Sequence, residues 1–197
     1  MPGSDRPLRA DAQRNRQLLL DAAARAFAQE GPQATLDAIA KEAGVGIGTL
    51  YRHFPTREAL VEAAYRSELN RLCDGVADLL RGMPADRALR VWMDRFVEYM
   101  TTKRGMGDVL KAVIASGGNP FAHSRDRLVG AVGTLVAAGA AAGVLRADVA
   151  AEDVLTGLSG ISLATGEPAR REQAARLLDL LMDGLRHRAA QNPGESR

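Results

Sequence analysis

The chain has 197 residues, 46% hydrophobic, 25% charged and only 4% aromatic, with a formal net charge of +2. A chain this long buries roughly 70% of its unfolded surface without covalent staples, and its one cysteine, Cys73, excludes an intramolecular disulfide and fits a reducing cytoplasm. No apolar run approaches the ~20 residues of a membrane span and no signal-peptide core opens the chain, while a charge this near neutral cannot by itself argue for a nucleic-acid partner.

Residues 1–13 hold Pro2, Gly3 and Pro7 beside Arg6 and Arg9, and read as a flexible basic arm. From Arg14 the pattern turns helical: Leu19, Ala22, Ala23, Ala26 and Phe27 share one face at i, i+3, i+4, i+7 and i+8. Gly31-Pro32 ends this helix, because glycine accepts a left-handed cap and proline cannot continue. Thr35 is placed to cap a short second helix with Leu36, Ile39, Ala40 and Ala43 on its apolar face. Gly44 and Val45 make a tight turn into a third helix, about Ile47 to Phe54, that buries Leu50 and Phe54. Pro55 stops it, and Thr56 caps a fourth helix predicted to run to about Arg81 with Val61, Tyr65, Leu69, Leu72, Val76 and Leu80 in one stripe. Cys73 lies on that apolar side, as a packed, inert thiol would.

Gly82-Met83-Pro84 marks the next boundary. Helices are expected at 86–102, 106–116, 123–143, 150–164 and 169–190, with Asn192–Arg197 frayed. No alternating β pattern and no internal repeat occurs, so the fold class is all-α.

Residues 35–54 have the layout of a helix-turn-helix: two short helices joined by a glycine-containing turn, the second presented outward. No acid stands between Glu42 and Glu58, whereas Tyr51, Arg52, His53 and Arg57 do. A surface facing DNA needs this, since acids repel phosphates and these side chains donate to them. Thr56 and Arg57 also open the fourth helix, whose free N–H groups favour anions. Gly44, Gly46 and Gly48 do not make a nucleotide loop, because no strand precedes them and no Lys-Ser/Thr follows. His53, His123, His187 and Cys73 lack metal-ligand spacing, and no nucleophile, metal or cofactor motif argues for an enzyme.

Thr35-Leu36-Asp37-Ala38-Ile39-Ala40 to Gly44-Val45, followed by Gly48-Thr49-Leu50-Tyr51-Arg52-His53-Phe54-Pro55-Thr56-Arg57-Glu58-Ala59-Leu60, closely resembles the signature of TetR/AcrR-family transcriptional regulators. The resemblance is specific over about residues 14–62 and architectural beyond. Ala141-Ala142-Gly143-Val144-Leu145-Arg146-Ala147-Asp148 resembles the junction before the family's dimerisation helices. The stretch from Leu50 to about Gly107, with Thr102-Lys103-Arg104-Gly105, resembles more weakly the subgroup with an SbtR-like C-terminal region. The implied organisation is an arm and DNA-binding domain over residues 1–61 and a helical ligand-binding and dimerisation domain over 62–197.

By position, the resemblance implies that Thr35, Tyr51, His53 and Arg57 hold phosphates and that Gly46, Ile47 and Thr49 face base edges. Arg14 and Thr56 are counted with the DNA contacts. The family often has Ser or Thr where Gly46 stands and a polar residue where Ile47 stands. Gly46 therefore leaves a weaker cap, and Ile47 can read only a thymine methyl or shape.

The resemblance further implies a homodimeric, ligand-responsive repressor on a palindromic double-stranded operator, with half-sites about 34–36 Å apart or a multiple of that. In a fold that needs a pocket, Trp92, Phe96 and Met100, spaced i, i+4 and i+8, join Leu110, Val113, Phe121 and Leu128 as candidate walls. Such walls suit an apolar small molecule, since an ion would need a paired counter-charge. Val154, Leu158 and Ile161, near Gly157 and Gly160, and Leu177, Leu178, Leu181 and Leu185 are the expected dimer interface. A ligand-independent DNA-binding protein or activator, and more remotely an all-α enzyme, stay open at this point.

Overall fold

The computed structural model describes residues 5–115, 117 and 119–186. Regular structure among them is helical: α1 Asp5–Glu30, α2 Leu36–Glu42, α3 Ile47–His53, α4 Arg57–Asp74, α5 Val76–Gly82, α6 Ala85–Gly105, α7 Gly107–Ala115, α8 Ser124–Ala141, α9 Ala151–Ala164 and α10 Arg171–Leu185. Short 3-10 turns at Gly31–Gln33 and Pro168–Arg170 and one antiparallel bridge, Leu145 to Arg186, complete it. The all-α expectation holds. Residues 187–197, with His187 and the expected frayed end, lie outside the described residues.

Two boundaries differ from the sequence reading. The expected arm is largely helix, since α1 starts at Asp5 instead of near Arg14. Pro7 falls in the first turn, where no N–H is needed, and Leu8 to Gln13 contains good helix formers. The fourth helix stops at Asp74, because Gly75 interrupts it and α5 restarts at Val76. The restart shifts the register, and Leu79 is buried where Leu80 was expected.

The chain forms two compact units, and neither is contiguous. One comprises the chain up to Arg71 with Tyr99–Ala122; the other comprises Leu72–Glu98 with the chain from His123 onward.

In the first unit α1, α2 and α3 pack on one another. Leu19, Ala22, Ala23, Phe27, Ile39, Leu50 and Leu60 are fully buried there, which includes the apolar face expected of α1. Gly31 takes φ +58° and ends α1 as its sequence requires. The end of α6 closes on the end of α1. A Cβ on Gly105 would stand 1.8 Å from the Phe27 carbonyl oxygen, so only glycine fits.

In the second unit α8 packs on α5 and α9, and α9 on α10. Trp92 and Phe96 stack at 5.6 Å with both rings closed off from solvent, and the Trp92 indole N–H donates to the Leu72 carbonyl at 3.0 Å. Full burial of a Phe-sized side chain contributes ~1.5–3 kcal/mol. Past α8, Gly143 takes φ +70°, and the Val144 and Leu145 N–H groups donate to the Gly139 carbonyl at 3.0 and 3.1 Å. The Leu145 side chain then fills the space a Cβ at Gly139 would need, and the Arg146 N–H donates to the Leu185 carbonyl at 2.9 Å. The ends of α8 and α10 are clasped together by this junction.

Candidate nucleic-acid interface

Each turn of the head is set by a specific residue. Thr35 Oγ1 accepts the Ala38 N–H at 3.2 Å and starts α2. At the far end Gly44 takes φ +68°, with its N–H donating to Lys41 O at 3.1 Å and the Val45 N–H to Ala40 O at 3.0 Å. That pair of bonds is the glycine-dependent Schellman cap, and it turns the chain directly into α3. Gly46 precedes α3 without a side-chain cap, as the glycine predicts; its carbonyl accepts from the Thr49 and Leu50 N–H groups at 2.8 and 3.2 Å. Thr56 Oγ1 accepts the Ala59 N–H at 3.1 Å and starts α4.

The orientation of α3 follows from Leu50 and Phe54, both buried. They turn Ile47 (36% exposed), Tyr51 (50%), Gly48 and Arg52 outward, with Thr49 and His53 half-buried and Val45 half-buried beneath. Around a Cβ built on Gly48 there is only open space. Glycine inside a helix costs about 1 kcal/mol against alanine, and nothing within the chain requires it at this point. Glu42, the acid bordering the motif, is paired with Arg25 at 2.7 Å.

Arg57 is placed differently from a free phosphate ligand. Its Nη1 donates to the Ala34 carbonyl at 2.5 Å and its Nη2 to the Pro32 carbonyl at 3.0 Å, and the guanidinium lies 5.0 Å from the Phe27 ring centroid. It thus ties the start of α4 to the loop after α1. Arg14 is exposed on α1. Two residues on, Arg16 covers the Phe54 ring at 5.3 Å and lines an open cleft of about 820 Å³ with His53, Glu62, Arg66 and Arg71. Sequence reading passed over Arg16, for which membership of the same basic segment was the only signal.

The expected pocket walls fall in both units. Trp92, Phe96 and Leu128 are buried in the second; Leu110 and Val113 are buried, and Met100 and Phe121 half-buried, in the first. Among the expected interface residues, Val154, Leu158, Leu178 and Leu185 are buried within their own chain, while Ile161, Leu177 and Leu181 are half-buried. On α9 and α10, Leu163 (79% exposed) and Leu180 (67%) are the large apolar residues that face outward. Leu177 and Leu180 line a shallow cleft of about 430 Å³ on α10.

Cys73 is half-buried, and desolvation pushes its thiol pKa up, away from a reactive thiolate. His123 takes φ 59°, and its ring lies 3.9 Å from exposed Asp126. Among the described residues no group of three or more His, Cys, Asp or Glu could hold a metal, and no helix is long and apolar enough to cross a membrane.

Residues 19–64 match the family model described as bacterial regulatory proteins, tetR family, and residues 84–187 match that of the transcriptional regulator SbtR-like C-terminal domain. The structure is similar to that of a TetR transcriptional regulator from Streptomyces coelicolor, with 53% identity, 88% of this chain and 99% of that chain covered, and a TM-score of 0.86. A TetR transcription regulatory protein from Mycobacterium vanbaalenii is 34% identical over 92% of this chain and 100% of its own, with a TM-score of 0.74. An HTH-type transcriptional regulator of Staphylococcus aureus (strain USA300) is 39% identical over 64 residues, 32% of this chain. That match spans only 35% of the curated relative's length.

Proposed function

The chain belongs to the TetR family of bacterial transcriptional regulators, and on that premise we propose that it is a homodimeric, ligand-responsive repressor of a palindromic operator. The observation that carries this reading is the outward surface of α3. It is free of acids, buttressed from beneath by Leu50 and Phe54, and presents Ile47, Thr49 and Tyr51.

In this reading Tyr51, His53 and Arg14 donate to phosphates. Thr35 and Thr56 do so as well: each hydroxyl oxygen already accepts a capping N–H, which leaves its own O–H free to donate outward. Gly46, Ile47 and Thr49 face the base edges, with Ile47 against a thymine methyl. Gly48 lets the helix backbone approach closely. Arg57 acts through position, holding α4 and the loop before α2 where the two threonine caps can reach the duplex.

Two heads read two half-sites through a dimer built on α9 and α10. Leu177, Leu180, Leu181 and Ile161 meet the partner, while Val154, Leu158, Leu178 and Leu185 support that face from inside. A small molecule in the helical body, for which Met100, Leu110, Val113 and Phe121 are candidate contacts, binds the DNA-incompetent state more tightly. Such coupling is typically ~1–3 kcal/mol.

Selection of bound sequences from random DNA tests the head. A two-fold symmetric consensus is expected. Thr49→Ala should relax preference at particular positions, whereas Tyr51→Phe should weaken all sequences alike. Selection that yields no consensus would sink the reading.

A further inference from the structure

Lys103, near the end of α6, meets two aromatic rings. Its ammonium lies 4.5 Å from the Phe121 ring centroid and 5.9 Å from that of Tyr65. Tyr65 meets Phe121 edge-on at 5.2 Å, and the Tyr65 and Tyr99 hydroxyls are hydrogen-bonded at 2.8 Å. Both tyrosines are buried, whereas Lys103 and Phe121 are half-buried and so reachable from solvent. Of the other half-buried cations, Arg90 pairs with Asp94 and Asp179 and Arg127 with Asp74, while Arg57 donates to the Ala34 and Pro32 carbonyls. Among the described residues no carboxylate stands within ion-pair distance of Lys103. Burial accordingly lowers its pKa from the ordinary lysine range. Ring faces attract an ammonium but replace only part of its lost hydration.

We propose that Lys103 is the receptor for the carboxylate of a monoanionic acid effector whose apolar or aromatic part lies against Phe121. One cation within ion-pair reach suits a single negative charge, and the rings beside it suit an apolar body. The inference rests on the ligand-responsive reading and adds a single charge to the expected apolar effector. It also supplies a route to DNA, because Gly105, two residues on, abuts the Phe27 backbone in the core of the head.

The test uses the full-length protein and five acids: benzoate, phenylacetate, 3-phenylpropionate, hexanoate and decanoate. Each is paired with its neutral primary amide at equal concentration. Thermal shift and calorimetry are read on the wild type, Lys103→Met, Lys103→Arg and the control Lys111→Met, which removes an exposed ammonium paired with Asp108. At least one acid should raise Tm where its amide does not. Its Kd should rise at least about 30-fold in Lys103→Met, stay within a few-fold in Lys103→Arg and be unchanged in Lys111→Met. Operator binding without ligand serves as the folding control for all three variants. Equal effects of acid and amide, no acid-specific shift, or wild-type acid affinity in Lys103→Met would each overturn the proposal. If neutral compounds release operator from the wild type and Lys103→Met alike, the repressor reading stands and the acid class falls. If acids bind through Lys103 without loosening operator, the effector role falls with the ligand-responsive reading.

Discussion

Replacing Arg57 separates a brace from a DNA contact. The alanine variant loses a charge-assisted bond to the part-buried Ala34 carbonyl, a more exposed one to Pro32 and the contact with the Phe27 ring. Counting about 1.5 kcal/mol for the first and about 0.5 for each of the others, because exposure weakens them, gives ~2–3 kcal/mol. In a chain of this length that is a fall in Tm of roughly 5–10 °C. Arg57→Lys keeps the charge but not the fork that spans two carbonyls, and should lose more than half as much. Thermal melts are then paired with anisotropy titrations of the selected operator at several salt concentrations, well below the variants' Tm. A brace predicts the Tm loss in both variants with the wild-type salt slope. A phosphate ligand predicts a slope lower by about one unit in Arg57→Ala and restored in Arg57→Lys. A changed slope with Tm within about 1 °C of wild type would refute the brace.

Leu180→Arg should give folded monomers with poor operator affinity by sedimentation, whereas Leu178→Arg, which buries a charge inside the chain, should cost ~3–5 kcal/mol and unfold many molecules; stable Leu180→Arg dimers would remove α10 from the interface. Gly48→Ala should raise stability by about 0.5–1 kcal/mol, since space is open there, and yet weaken operator binding. Unchanged or tighter binding would mean that DNA does not approach this point. Gly105→Ala must push α6 away from the Phe27 carbonyl and should cost ~1–3 kcal/mol or more, read as a lower Tm.

Periodicity and caps made most of the fold legible. The apolar spacing placed α1, α2 and α3, and Thr35, Thr56, Gly31 and Gly44 each perform the capping or turning role their chemistry suggests. Interruptions were harder to see. Gly75 sits inside an unbroken apolar stripe, and a stripe cannot say whether one glycine will be absorbed or will break the helix. The strongest apolar face of α10 was read as facing a partner, but such a face first covers the chain's own core. Leu178 and Leu185 went inward, and the weaker face with Leu180 was left outside. Arg57 was read as a phosphate ligand and Lys103 only as part of a motif, and the contacts that each makes had no signal in the sequence. Their partners, the Pro32 and Ala34 carbonyls in one case and the Tyr65 and Phe121 rings in the other, are brought close only by folding.

The discontinuity of the first unit bears on how the protein is made. Its helices up to Arg71 leave the ribosome well before Tyr99–Ala122, the stretch that completes the unit. At about 5–20 residues per second, the roughly fifty residues after Arg71 take ~3–10 s to add. During that interval the nascent head lacks the α6 end that closes over Phe27, and it is exposed to proteases and to holdase chaperones. Stalled chains that present Ala122 outside the exit tunnel should resist a brief protease pulse across α1 and α4, and chains stalled before Tyr99 should be cut there.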